Sequence, residues 1–176
     1  MSALWLIVSL ASAREVDGMT FPEEATVGGA VLPLNGVGIR ERYLIDIYAA
    51  GLYLPAHTSD AAHAIEDDVP KRIEMRFIYK HVTRQQAVDA LQWRLVESPA
   101  AASIQDQVQL FVSWLGDFDR GDQIVFDYVP GKGTSVTLKG ESKGTMPGTS
   151  FMRAVWGIFL GEKPITEALK RGMLGR

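Results

Sequence analysis

Cysteine is absent from all 176 residues. That excludes a disulfide framework, a thiolate nucleophile and cysteine-held zinc or iron–sulfur clusters. Positive charge is scarce as well. Eighteen Lys and Arg stand against 21 Asp and Glu, a net charge of −3, so the broad basic field that binds a nucleic-acid backbone is missing and no nucleic-acid partner is expected. No apolar run reaches the ~20 residues a membrane-spanning helix needs. Three histidines, His57, His63 and His81, lie too far apart for a local metal motif, and no metal site is expected. A nucleophile elbow, a phosphate loop and a dinucleotide fingerprint are all lacking, since Gly131, Lys132 and Gly133 read as hairpin-turn chemistry. Asp117, Asp119, Gly121 and Asp122 fail the calcium-loop pattern, which wants a side-chain ligand at Gly121 and a glutamate at Tyr128. The Arg120-Gly121-Asp122 tripeptide reads as part of the same turn.

What remains is ordinary globular composition, 47% hydrophobic and 22% charged, sufficient for one core. Within residues 1–13, the apolar run Leu4, Trp5, Leu6, Ile7, Val8 runs into Ala11, Ser12, Ala13. This resembles a secretory signal with an A-x-A cleavage site, though no positive residue precedes the run. Residues 14–176 are read as one domain, exported to a periplasm; the absence of cysteine is compatible with an oxidising compartment.

Along that domain, Ala25 to Leu34 reads as an early strand ending at Pro33, Asn35 and Gly36. Arg42 to Leu54 reads as one or two central strands. Ile73, Met75, Phe77 and Tyr79 alternate with Arg72, Glu74, Arg76 and Ile78, predicting a strand with one core face and one mostly polar face. Thr83 and Gln86 form a capping box ahead of Val88, Leu91 and Leu95 at helical spacing. A second helix starts near Ser103, carries Ile104, Val108, Phe111 and Leu115, and stops at Gly116. Asp122 to Lys139 reads as a hairpin. Ser150 to Leu160 is a strongly apolar helix ended by Gly161, and Pro164 opens a last short helix. Asp67 and Asp68, beside Pro70, read as solvated loop carboxylates. The sum is an α+β fold with an antiparallel sheet and helices on one face.

Two segments resemble the chalcone-isomerase superfamily. Gly36, Gly38 and Arg40, followed by Ile47, Tyr48, Ala49, Ala50, Gly51, Leu52, Tyr53 and Leu54, are similar to its G-x-G-x-R turn and following strand. Phe159, Leu160, Gly161, Glu162, Lys163 and Pro164 resemble the closing helix-turn-helix of bacterial members, and Thr83, Arg84, Gln85 and Gln86 the start of the ligand-lining helix. The resemblance implies an open-faced β-sandwich: a large antiparallel sheet, a layer of helices and a cleft between them. It also implies that Arg40 stands where the isomerases bind a phenolate oxygen. Their other polar positions fall at Tyr48, Ala87, Ala90, Arg94 and Ile158, a departure that argues against the isomerase reaction. Some eukaryotic relatives bind haem, and His81 is the histidine weighed for it against a surface residue; no cofactor is expected.

Independently of any resemblance, an arginine after two glycines and before an apolar strand can present a fork of donors to a carboxylate or phenolate. The alternative is a structural pair with Glu41 or Asp46. Tyr48 is either a hydrogen-bond donor to the same ligand or a core tyrosine. The expected function is non-catalytic binding of a fatty acid or similar amphipathic anion, with Arg40 at the head group. The expected lining is Tyr48, Ile73, Met75, Phe77, Leu91, Leu95, Val155 and Phe159. Two alternatives are carried beside it: an isomerase or intramolecular lyase using Arg40 as an oxyanion stabiliser, and an envelope protein with a filled cleft.

Overall fold

The computed structural model describes residues 12–98 and 101–176, so residues 1–11, most of the expected leader, lie outside the described residues. Ala13, the last residue assigned to that leader, opens strand β1 (Ala13–Val16), which pairs with β2 (Met19–Pro22) in a separate hairpin.

The main sheet has seven strands: β3 (Glu24–Val27), β4 (Ala30–Arg42), β5 (Ile45–Tyr53), β6 (Lys71–Phe77), β9 (Gln123–Val129), β10 (Gly133–Leu138) and β11 (Glu141–Met146). Their spatial order is β11-β10-β9-β6-β5-β4-β3, and every neighbouring pair is antiparallel. A two-stranded ribbon of β7 (His81–Val82) and β8 (Phe118–Asp119) stands apart from it. The helices are α1 (Ala61–Glu66), α2 (Arg84–Val96), α3 (Gln105–Trp114), α4 (Ser150–Leu160) and α5 (Glu167–Met173). This is the expected α+β architecture, a large antiparallel sheet covered by helices.

Alternation divides the buried side chains between two faces. Tyr48, Ala50, Leu52, Ile73, Met75 and Phe77 meet Leu91, Leu95, Phe111, Val155, Trp156 and Phe159 from the helices in one large core. Ala49, Tyr53 and Ile78 point the other way, where Met19 and Phe21 of the β1–β2 hairpin cover them with Leu32 and Leu34. The second face of β6 is therefore not left to water. Glu74 is 4% exposed and takes Arg76 as its partner, while Arg72 grips Asp127 through two hydrogen bonds of 2.6 and 2.7 Å. Pairing is what allows these charges to sit beneath a hairpin.

The early strand expected to end at Pro33 and Gly36 does not end there. Gly28 and Gly29, both at positive φ, turn β3 into β4, and β4 runs on through Pro33, Gly36 and Gly38 to Arg42. The G-x-G-x-R segment is strand, not turn. Its glycines answer to close approach: a Cβ on Gly38 would lie 2.1 Å from the carbonyl oxygen of Leu169, and one on Gly36 2.3 Å from that of Gly172. Their bare backbone is what lets α5 lie down on β4. The turn falls further on, at Tyr43 and Leu44, whose φ values of 53° and 63° make a two-residue type I′ hairpin without glycine, at about 1–2 kcal/mol per residue.

The capping box is present: Thr83 Oγ1 accepts from Gln86 N and Gln86 Oε1 accepts from Thr83 N. The last helix begins not at Pro164 but at Glu167, with Thr166 as its cap. Asp68 is not a purely solvated loop acid, since it accepts a hydrogen bond from the Tyr128 hydroxyl. Among the described residues no helix is long and apolar enough to cross a membrane.

Candidate ligand cleft

Between α2 and the β4–β5–β6 floor lies an open cleft of about 630 Å³, within the ~300–1,000 Å³ range of small-molecule sites. It exists because α2 presents Ala87 and Ala90 toward the sheet, where larger side chains would close the gap. The floor is formed by Arg40, Arg42, Tyr48, Met75 and Phe77. Leu91, Trp93, Arg94, Gln86 and Asp89 line the helix side, Tyr79 and Val82 also contribute, and Tyr43, Ile45 and Ile47 come from the β4–β5 hairpin.

A β-bulge sets the polar end. Between the register pairs Glu41↔Asp46 and Arg40↔Tyr48, β5 carries one extra residue, Ile47. Bulges re-aim side chains in this way. Here the bulge lets Arg40, Tyr48, Arg42 and Ile47 all face the cleft, while Glu41 and Asp46 line a shallower depression on the other side. The alternative of an Arg40 pair with Glu41 or Asp46 is not realised: among the described residues no carboxylate lies within ion-pair distance of Arg40. Its guanidinium carbon lies 5.7 Å from the Tyr48 ring centroid.

Tyr48 is 2% exposed, and no group meets its hydroxyl in full hydrogen-bond geometry; the Arg40 guanidinium lies close enough to act on it as a donor would. A buried, unmatched hydroxyl costs ~1–3 kcal/mol. Burial pushes the Tyr48 pKa up to about 12, against the pull of Arg40 and, more weakly, of Arg94. The ring is fixed by an edge contact with Phe77 at 5.9 Å, and Phe77 in turn stacks on Phe118 at 4.5 Å.

Of the expected lining residues the structure brings Arg40, Tyr48, Met75, Phe77 and Leu91 together. Leu95, Phe159, Ile73 and Val155 belong to the same apolar core but not to the cleft's lining. Composition could not separate the two classes, because a floor residue and a core residue have the same period. Of the positions taken from resemblance, Ala87, Ala90 and Arg94 do line the cleft, whereas Ile158 is buried in α4. Arg94 is anchored by hydrogen bonds from Nη1 to the carbonyls of Lys163 and Pro164, so its guanidinium is held at the cleft rather than free to wander. His81 is exposed on β7, outside the lining, with Nδ1 2.7 Å from Asp119 Oδ1. No cluster of metal-ligating side chains occurs among the described residues.

A family model described as chalcone isomerase-like matches residues 13–175. Among solved structures, a fatty-acid binding protein from Arabidopsis thaliana superposes with a TM-score of 0.69 at 19% sequence identity, covering 93% of this chain and 95% of that one. At that identity the likeness establishes the fold. No curated protein matches.

Proposed function

The chain belongs to the chalcone isomerase-like family, and we propose that it is a non-catalytic member whose cleft binds a fatty acid or a similar amphipathic anion. One observation carries the reading. An open cleft with a mixed polar and apolar lining ends on an arginine without a carboxylate partner and a buried tyrosine hydroxyl that no group meets in full hydrogen-bond geometry. A carboxylate head group supplies both missing partners, accepting from the Arg40 fork and from Tyr48 Oη, while Met75, Phe77 and Leu91 cover the tail. The Arabidopsis protein of the same fold is described as a fatty-acid binding protein, which favours this ligand class.

One feature argues against the isomerase chemistry. Ala87 and Ala90 occupy the wall where the resemblance to the isomerases calls for a tyrosine and a lysine, so neither of those groups stands there. The cleft is also not filled by side chains, which sets aside a purely structural role.

Native mass spectrometry of gently purified protein and its Arg40→Ala variant, with denaturing extraction of whatever is bound, tests the proposal. A fatty acid released by the parent and missing from the folded variant supports it. Two empty proteins, neither stabilised on heating by added fatty acid, refute it. Export to a periplasm belongs to the same proposal, supported by the apolar run Leu4–Val8 and the small residues after it; recovery of the intact, unprocessed chain from the cytoplasm would count against it.

A further inference from the structure

Four large apolar side chains gather in the open at one place. Tyr43 is 84% exposed, Leu44 91%, Ile45 43% and Trp93 59%. Tyr43 and Leu44 are the two central residues of the β4–β5 hairpin, Ile45 begins β5, and Trp93 stands on α2; Tyr43, Ile45 and Trp93 all border the cleft. A hairpin tip facing only water ordinarily carries Asn-Gly or Asp-Gly, because both positions need positive φ. This tip takes up that conformation with an aromatic and a leucine, the two residues most in need of a cover. Tyrosine and tryptophan, with an apolar body and a polar tip, favour the headgroup level of a bilayer.

Charge around the tip has a sign. Arg40 and Arg42 face the cleft side of the hairpin and α2 adds Arg94, with Asp89 as the one carboxylate in the lining. Glu41 and Asp46 face away. Among the described residues neither Arg40 nor Arg42 has an ion-pair partner. A chain of net charge −3 thus presents a locally cationic mouth beside an apolar wedge, the combination that complements an anionic lipid surface.

We infer that the Tyr43–Leu44 tip, with Trp93, docks the cleft mouth on an anionic lipid bilayer, the apolar side chains at the boundary of head groups and acyl chains and the exposed Arg42 at phosphate level. The purpose of the docking rests on the fatty-acid reading: a mouth held on the bilayer passes an amphipathic anion without exposing its tail to water. The docking itself is measured without fatty acid, so the two ideas fail separately.

The absence of cysteine makes the test clean. Leu44→Cys and Val31→Cys in the full chain each accept a single polarity-sensitive fluorophore; Val31, 61% exposed, lies at the opposite end of β4. Any attachment through the apolar run in residues 1–13 affects both proteins alike. With phosphatidylglycerol–phosphatidylcholine vesicles the label at 44 should shift to the blue and be quenched by spin-labelled acyl chains. The label at 31 should not respond, and pure phosphatidylcholine should give a much weaker signal. Adding Arg42→Gln should weaken binding about fivefold. A label at 44 that stays in water on anionic vesicles, an equal response at 31, or an equal response to pure phosphatidylcholine would overturn the inference. A blue shift that grows with protein concentration in the absence of vesicles would overturn it too, assigning the tip to a second copy of the chain.

Discussion

Arg40 and Tyr48 are direct register partners across β4 and β5, placed opposite one another by the extra residue at Ile47. One is a permanent cation and the other a hydroxyl that burial keeps protonated, with its pKa pushed up to about 12. Ligand affinity is therefore expected to be flat from about pH 6 to 10, and to fall only as the ligand's own carboxylate protonates, near the ~4–5 range of carboxylic acids. Displacement of a fluorescent fatty acid across that range checks it. A break near pH 9 would mean that a different group holds the head.

Gly38→Ala is expected to destabilise severely, by more than about 2 kcal/mol, although it removes no contact. The new methyl would meet the Leu169 backbone at 2.1 Å, and backbone cannot step aside as a side-chain end can. Urea unfolding measures the loss. An exposed glycine such as Gly131, whose added Cβ meets nothing but whose φ is positive, should cost less, of order 1 kcal/mol.

Lys71 is fully buried, its Nζ donating to the carbonyls of Ala64 and Ile65 at the end of α1. Burial lowers its pKa from 10.5 to about 8, partly countered by Asp67, Glu66 and Asp68. Between those two values the unfolded chain binds more protons than the native one, so stability rises with pH through the window. Tyr48 and Tyr128, both raised to about 12 chiefly by burial, act in the opposite direction above their ordinary value of 10. The measurable rise thus lies between pH 8 and 10 and is of order 2 kcal/mol. Denaturant midpoints at each pH should show it in the parent and not in Lys71→Met.

Ala90→Phe places a ring in the cleft from α2. It should reduce fatty-acid affinity tenfold or more while changing the melting temperature by only a few degrees, since a single exchange on a half-open helix face costs well under 1 kcal/mol of helix propensity. Unchanged affinity would move the ligand out of this cleft.

Elements with a strong local signal were legible in the sequence: the Thr83–Gln86 cap, the alternating β6, the β9–β10 hairpin and the apolar α4. The missed ones had none. α1 is six residues, half of them alanine, too short to show a period. β11 reads Glu-Ser-Lys-Gly-Thr-Met at the sheet's edge, with a single buried side chain. The Gly36–Gly38 pair misled because glycine signals a turn and a close approach alike, and only the position of α5 decides between them. The site was legible in half. Arg40 and the floor residues followed from resemblance and alternation. Arg94 came from the same resemblance, though not its anchoring by the carbonyls of the distant Lys163 and Pro164; the rim, with Tyr43 at the β4–β5 tip and Trp93 on α2, depended on how that tip and that helix face meet over the cleft.

The central claim is most directly tested by titration calorimetry of lauric acid into the parent, Arg40→Ala and Tyr48→Phe. Binding to the parent should be weakened by about 10–100-fold in Arg40→Ala, the scale of a charge-assisted hydrogen bond, and less in Tyr48→Phe, with melting temperatures preserved in both. Equal affinity in the parent and a folded Arg40→Ala, or no binding to the parent at all, would contradict an arginine-anchored fatty-acid site.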